Sequence, residues 1–314
     1  MARENKPTTV IAAMIANLTI AVAKFVAATV SGSAAMFAEG IHSVVDTCNQ
    51  GLVLIGVKRS HRPADVGHPF GYGKEIYFWA LIYAVLLFGI GGGLSIYEGI
   101  DRIRHPRFEG GFVWSYSVLG VAFLAESTSF VIAVRAVQRK ERGRRFLDKL
   151  LHSKAPTRFL VVGEDGAAIL GLATAAGGLA LTQVLGDPLP DAVASLVIGA
   201  ILCGVALYLT LQTKRLILGQ AADPEIVESI RQMTSRRDDV EYAGAPLTMH
   251  FGPDRVLVAL DLTFRAEMSA TEVARAVDEI ETDIRRRHPE VERIYVEAQL
   301  LKADIEREQP HAGT

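Results

Sequence analysis

The chain has 314 residues, of which 50% are hydrophobic, and its mean hydropathy is +0.25. This composition is more apolar than that of an ordinary soluble protein, so burial in a membrane is the first hypothesis. The formal charge of −2 provides no cationic excess to neutralise phosphates, which argues against nucleic-acid binding. The two cysteines, Cys48 and Cys203, are too few for a disulfide framework or a thiolate cluster, so a metal site would use His, Asp and Glu.

Six apolar stretches are long enough to supply the roughly 20 helical residues that cross the hydrocarbon core of a bilayer. The first stretch exceeds the about 7–15 apolar residues of a secretory signal, which indicates a retained helix. We therefore predict a six-helix transmembrane bundle over residues 1–215. Its spans are expected at about 8–30, 34–57, 76–99, 113–137, 158–182 and 190–213.

The distribution of Lys and Arg predicts how this bundle lies in the membrane. Cationic residues are concentrated before the first span, between the second and third, between the fourth and fifth, and after the sixth. The loop between the third and fourth spans has Arg102, Arg104 and Arg107, and 183–190 has none. The positive-inside rule then places both termini of this multi-pass protein in the cytoplasm, and in a bacterium the membrane would be the inner one.

A small soluble domain is predicted from 216 to 302, where apolar density falls and shorter periodic segments begin. The order of these segments predicts an α+β domain of αββαβ, ferredoxin-like type, and the polar residues 303–314 are expected to be a disordered tail. The local signals are a helix opened by Asp223 and Pro224, strand alternation over 256–264, a helix with the capping box Ser269 and Glu272, and strand alternation over 294–298.

Ionisable side chains occur inside several of the predicted spans, where they are costly and by default mark a pathway or a ligand site. In the second span, Glu39, His42, Asp46 and Asn49 recur at the spacing of one helix face. The fifth span contains the adjacent acids Glu164 and Asp165. A polar stripe therefore follows one face of an otherwise apolar helix.

These residue types are suited to a divalent transition-metal ion. His42 and Asp46, one helical turn apart, can present an imidazole nitrogen and a carboxylate oxygen to one ion, which Zn²⁺ prefers. Packing of the second span on the fifth would add Glu164 and Asp165, giving a roughly tetrahedral and exchangeable site of nitrogen and oxygen donors. The alternative is that His42 and Asp46 only pair with each other or with the backbone to hold helices together.

Other charged residues in the spans have simpler explanations. Glu98 and Glu126 lie nearer membrane ends or beside polar neighbours, where a helix-end ion pair or a packing contact explains them at least as well as transport does. Lys24, in the first span, is expected to extend its ammonium group toward the membrane interface.

Three segments, 31–46, 68–75 and 191–195, resemble the motifs of the cation diffusion facilitators, and the chain is most similar to their zinc transporter 9-like branch. The resemblance covers nearly the whole chain. It implies a homodimeric exporter of Zn²⁺ or a similar ion that exchanges the ion for protons by alternating access. It also implies that the ion is a substrate rather than a cofactor, that the protein is not an enzyme, and that the soluble domain mainly dimerises.

The resemblance assigns roles to the residues of the two polar spans. His42 and Asp46 match the family's ligand pair in the second span, and Asp165 matches the second member of the pair in the fifth span. Val161 stands where the first member would be and cannot bind a metal, so either Glu164 replaces it or three protein ligands and a water molecule hold the ion. Glu39 and Asn49 are candidates for an accessory site or a polar path.

A second site is found in the first cytoplasmic loop of some family members, with Asp, His and His as ligands. Asp65 and His68 match two of these positions, while the third is Tyr72, a poor zinc ligand. Asp65 and His68 are therefore candidates for an accessory metal site.

Two functions from other classes remain as alternatives. A membrane-anchored metal sensor or assembly protein would use its soluble domain and need no buried charges, so the polar stripe argues against it. A passive channel would need a continuous wetted pore, whereas the polar groups here lie at one depth on two helices.

Overall fold

The computed structural model describes residues 7–106, 112–140, 156–253 and 255–300. The predicted tail 303–314 and most of the basic connection between the fourth and fifth spans lie outside the described residues. The chain divides into two compact units, Met1–Ile217 and Leu218–Thr314. The predicted fold class, a helical membrane bundle followed by a small α/β domain, is confirmed.

The first unit consists of long helices. The third predicted span is one helical stretch with a π-helical segment, Leu87–Gly93, between two α-helices. A π-helical segment widens the turn locally and is often found near functional sites. The α-helices are α1 (Pro7–Ser31), α2 (Ala34–Ser60), α3 (Glu75–Leu86), α4 (Leu94–Arg104), α5 (Phe112–Lys140), α6 (Pro156–Leu185) and α7 (Leu189–Leu218).

Within the described part of the chain, five helical stretches are long and apolar enough to cross a membrane. The remaining helix, α2, has 27 residues, which suffices for a span, but it is less apolar than the others because it contains the polar stripe. Many large side chains on the helices, such as Val121, Leu124 and Leu181, are exposed, as expected of a surface that faces lipid. The five stretches are Met14–Ser31, Glu75–Arg104, Phe112–Arg135, Val162–Leu185 and Leu189–Leu218.

Helix α2 lies at the centre of the bundle, in contact with α1, α3, α4 and α6. Small residues allow the close approaches: Gly40 of α2 lies against the ring of Phe25, where a Cβ atom would be 2.9 Å from a ring carbon. At Gly99 of α4, a Cβ atom would lie 2.9 Å from the carbonyl oxygen of Ala192 in α7. Contacts between small residues are a common way for membrane helices to pack.

The start of α2 is held by its own cap residue, Ser33, and by a side chain of α7. Gly32, with φ 71°, ends α1 in the left-handed conformation, and Ser33 then caps α2 by accepting from the Met36 amide at 3.0 Å. Asp191, in the first turn of α7, accepts from the Ser33 hydroxyl at 2.6 Å and from the Ala35 amide at 3.2 Å. The acidic residue of the third motif therefore joins the first turns of α2 and α7 and lies favourably at a helix N-terminus.

The second unit is a four-stranded sheet with two helices. Strand β3 is central: β4 pairs with it in parallel, whereas β1 and β2 pair with it antiparallel along the other edge. The predicted αββαβ order is therefore present with its first strand split at residues 244–246, where Pro246 has no amide hydrogen for the ladder. The elements are α8 (Pro224–Ser235), β1 (Val240–Ala243), β2 (Leu247–Gly252), β3 (Arg255–Phe264), α9 (Ala270–Arg287) and β4 (Val291–Leu300).

Two local predictions for this domain are confirmed. The alternating residues from Val256 to Phe264 are buried on one face of β3, where they form the core with the apolar sides of the helices. The capping box is also present: the Ser269 hydroxyl accepts from the Glu272 amide at 3.3 Å, and the Glu272 carboxylate accepts from the Ser269 amide at 2.8 Å.

Candidate cation site in the helix bundle

The four polar residues of the predicted stripe on α2 all lie in the interior of the bundle. Glu39, His42, Asp46 and Asn49 are each at most 5% exposed. Because they recur at three- and four-residue spacing, they share one face of α2, and that face is covered by neighbouring helices instead of lipid. The stripe is therefore a buried polar core within an apolar bundle.

The side chains of His42 and Asp46 lie next to each other, one helical turn apart, and several of their polar atoms lack hydrogen bonds. The His42 Nε2 and Asp46 Oδ2 atoms are 3.4 Å apart. Neither ring nitrogen of His42, nor Asp46 Oδ1, has a hydrogen-bond partner among the described residues. Buried polar atoms are nearly always paired, so unpaired nitrogen and oxygen atoms at one place suggest a ligand that binds there.

The two acids of α6 point toward different helices. The Asn49 side-chain amide of α2 donates a short hydrogen bond to Glu164 Oε2, so Glu164 faces the stripe. Asp165 instead accepts a hydrogen bond from the Ser129 hydroxyl of α5 at 2.8 Å. Adjacent helical residues differ by about 100° in direction, which explains the divergence. Glu164 also acts electrostatically on Asp46 more strongly than any other charged group.

The arrangement is not a preformed cage. Across 7–106, 112–140, 156–253 and 255–300, no group of three His, Cys, Asp or Glu residues stands close enough together to hold an ion. Asp46 and Asn49 lie about one turn apart on α2, and Glu164 of α6 reaches both: it accepts from Asn49 and also interacts with the Asp46 carboxyl group. The side chain of Val161 lies outside the described residues.

The expectation that Lys24 reaches the membrane interface is wrong. Its side chain is 1% exposed, and its ammonium donates to Glu39 Oε2 at 2.9 Å and to the Ser43 hydroxyl at 2.8 Å. The cost of burying this charge is offset by the Glu39 carboxylate, which is itself fully buried. Glu39, predicted as an accessory ligand or part of a polar path, is therefore engaged in an ion pair.

One residue near the site was missed by the sequence analysis. Tyr83 of α3 is fully buried, and its hydroxyl has no hydrogen-bond partner within the described ranges. The acids that act on it electrostatically are Glu164, Asp46 and Asp165. An aromatic residue in an apolar run is usually a packing residue, so the sequence contained no signal that would distinguish Tyr83.

The acids of the other two spans differ from each other. Glu98 accepts a hydrogen bond from Arg102 at 2.9 Å, one turn away on α4, so the helix-end ion pair explains it. Glu126 of α5 is partly buried, and the charges of Lys24, Asp165 and Glu39 act on it. Only Glu126 is therefore connected electrostatically with the polar core.

The predicted accessory residues of the first loop lie close together, but the Asp65 carboxylate already has hydrogen-bond partners within the loop. The Tyr72 hydroxyl donates to Asp65 Oδ2 at 2.6 Å, and the His68 amide donates to Asp65 Oδ1 at 2.8 Å. The rings of His68 and Tyr72 lie 4.2 Å apart. The hydrogen bond from Tyr72 lowers the pKa of the Asp65 carboxyl and raises the pKa of the phenol. Both carboxylate oxygens are used within the loop, and all three groups are exposed or partly exposed.

Comparisons with known proteins follow the same division of the chain. Residues 10–218 match the family model of the cation efflux transmembrane domain. The human mitochondrial proton-coupled zinc antiporter SLC30A9 is 35% identical over 212 residues, which is 67% of this chain and 37% of that protein. The Arabidopsis thaliana metal tolerance protein C4 is 30% identical over 240 residues, 76% of this chain and 52% of that protein. The Bacillus subtilis manganese efflux system protein MneP is 25% identical over 297 residues, 90% and 92% of the two chains.

Proposed function

Because the chain belongs to the cation diffusion facilitator family, a family of metal efflux proteins of the membrane, we propose that it exports a divalent transition-metal cation in exchange for protons. Zn²⁺ is the first candidate, since the SLC30A9 proteins are zinc antiporters, and Mn²⁺ is the second, since MneP is a manganese efflux protein. The chain spans only about a third to a half of its first relatives, so substrate and coupling are inferred chiefly from its own residues.

The observation that carries this proposal is that both ring nitrogens of His42 and the Oδ1 atom of Asp46 lie in the interior of the bundle without hydrogen-bond partners among the described residues. A nitrogen and an oxygen donor on one helix face suit Zn²⁺ better than Mg²⁺ or Ca²⁺, which prefer oxygen donors alone. A site without thiolate ligands also binds zinc reversibly, as a transporter requires.

We assign a ligand role to each group by its position. His42 and Asp46 provide the first two donors, and Glu164, which faces α2 and interacts with Asp46, provides the third. Asp165, beside Ser129, is a proton acceptor next to the site, and a water molecule completes the coordination.

Protons and the cation compete for the same groups. A metal ion needs a neutral imidazole and ionised carboxylates, so its binding releases protons and protonation releases the ion. The imidazole of His42 binds either a proton or the ion through the same nitrogen, which makes His42 one point of exchange.

The assembly follows the family, and the orientation follows the distribution of Lys and Arg. We place both termini in the cytoplasm, and we assign dimerisation of two identical chains to the soluble domain over 216–302 and transport to the domain over 1–215.

The decisive experiment is uptake into proteoliposomes that contain the full-length protein, with Zn²⁺, Mn²⁺, Co²⁺ and Fe²⁺ tested with and without an imposed pH gradient. We expect zinc uptake that depends on the gradient and is matched by proton movement in the opposite direction. Zinc flux that ignores the gradient would indicate a passive channel. No flux of any of the four ions would refute transport and favour the membrane-anchored sensor.

A further inference from the structure

A buried ammonium group lies directly beside the proposed cation position. Lys24 of α1 is 1% exposed, and its Nζ atom bridges Glu39 at 2.9 Å and Ser43 at 2.8 Å. These two residues flank His42 on α2: Glu39 is one turn before it and Ser43 follows it directly. A cation held by His42 and Asp46 would therefore have a fixed positive charge as a close neighbour.

The electrostatic field of Lys24 reaches both proposed ligands. Its charge acts on the His42 ring and on the Asp46 carboxylate, although it hydrogen-bonds to neither. Like charges repel more strongly in a protein interior than in water, and a divalent ion doubles the effect. The ammonium group must therefore weaken cation binding at this position.

The negative charge of Glu39 would favour cation binding, but its carboxylate is held in place by other contacts. One carboxylate oxygen is paired with Lys24, and the other has no partner among the described side chains. That second oxygen lies against the backbone of α6 at Gly171, where a Cβ atom would collide with it. Glu39 is thus clamped between the ammonium group and α6, one turn away from the unpaired donors.

We propose that the Lys24–Glu39 ion pair sets the affinity of the site for its cation, an inference that rests on the proposed function of His42 and Asp46. Lys24 opposes the charge of the bound ion and withholds Glu39 from its coordination. Both effects keep binding weak enough for release, since a transported ion must leave as readily as it enters. Lys24 is an affinity-determining residue that does not touch the ion.

A charge series separates this role from simple packing. The dissociation constant for Zn²⁺ is measured by isothermal titration calorimetry on the purified full-length protein. Lys24→Met, which removes the charge and releases Glu39, is expected to lower the dissociation constant by about tenfold. Glu39→Gln, which leaves the ammonium uncompensated, is expected to raise it by about tenfold. Lys24→Met/Glu39→Gln should return close to the wild-type value, and Lys24→Arg should leave it unchanged.

The opposite signs of the two single variants are the critical result. A purely structural ion pair would make both variants bind zinc more weakly, and that outcome would overturn the inference. In proteoliposomes, Lys24→Met should also lower KM and the maximal rate together, because a more tightly bound ion leaves more slowly. An unchanged maximal rate with unchanged KM would likewise contradict the proposal.

Loss of a partner from a buried ion pair can prevent folding, so the charge series includes variants that test the proposal even if Lys24→Met does not fold. If Lys24→Met does not yield a monodisperse protein, Glu39→Gln and the double variant still decide. A double variant that binds zinc as weakly as Glu39→Gln would reject a role for charge. Absence of zinc binding in the wild-type protein would instead refute the proposed function itself, which distinguishes the two failures.

Discussion

The bundle interior and the first loop contain the same kinds of residue in very different states. In the interior, both ring nitrogens of His42 and the Oδ1 atom of Asp46 are buried and lack hydrogen-bond partners within the described chain. In the loop, Asp65 and His68 are exposed, and both oxygens of Asp65 accept hydrogen bonds from the loop itself. An acid and a histidine at close spacing therefore do not define a metal site; buried donors that the protein leaves unsatisfied are the stronger indication.

The largest expected effect tests whether the interior pair is the transport site. Asp46→Ala removes one of two adjacent donors and should reduce zinc transport in proteoliposomes by at least about a hundredfold while the protein still folds. Glu98→Gln, which alters an acid paired with Arg102 in another span, is the matched control and should retain transport. Full activity of Asp46→Ala would remove the interior site from the mechanism.

A smaller effect should distinguish the two neighbouring acids of α6. Because Glu164 faces α2 and Asp165 faces α5, Glu164→Gln should weaken zinc binding by about a hundredfold and Asp165→Asn by less than about tenfold. Asp165→Asn should mainly flatten the pH dependence of transport, because that carboxylate is assigned to proton transfer. Calorimetry gives the affinities. A larger loss of zinc affinity in Asp165→Asn than in Glu164→Gln would make Asp165 the third ligand.

The smallest expected effect concerns the loop. Tyr72→His would replace the phenol that satisfies Asp65 by a third donor, and it should add about one weakly bound zinc ion per chain. The measurement is zinc stoichiometry in an Asp46→Ala background, where the interior site is absent. Tyr72→Phe is the control: it should add no ion. If Tyr72→His gains no zinc, the loop lacks more than a donor atom.

The same loop has a predictable response to acid. The hydrogen bond from Tyr72 lowers the pKa of Asp65, so its contribution to loop stability is present above the ordinary carboxyl pKa and is lost as the pH falls through the lowered value. Tyr72→Phe should move that loss to higher pH, as measured by NMR titration of the Asp65 carboxyl.

Periodicity in the sequence was sufficient to predict what depends on one segment at a time. The apolar runs predicted the long helices, alternation predicted β3, and three-residue spacing predicted the capping box at Ser269. The polar stripe on α2 was found in the same way, because its four residues belong to a single helix. These patterns lie within single segments, so they can be recognised without knowing which helices or strands pack against each segment.

Features that depend on how helices are rotated against each other could not be predicted. The sequence shows Glu164 and Asp165 as equivalent neighbours, and only the orientation of α6 gives one to α2 and the other to α5. The burial of Lys24 depends on Glu39, fifteen positions away on another helix. Likewise, nothing local revealed that Tyr83, which packs in the apolar core, is also within electrostatic reach of the acids.

The attachment of the first turn of α2 to Asp191 has a mechanical consequence. If that end stays fixed, α2 can swing only as a lever about Ser33, and displacement grows with distance along its axis. At about 1.5 Å per residue, His42 lies roughly 14 Å from the pivot and Ser60 roughly 40 Å from it. A tilt about that pivot would thus displace the far end of the helix about three times as much as the imidazole, so the end of the bundle away from Ser33 can open and close with a smaller shift of the donor atoms.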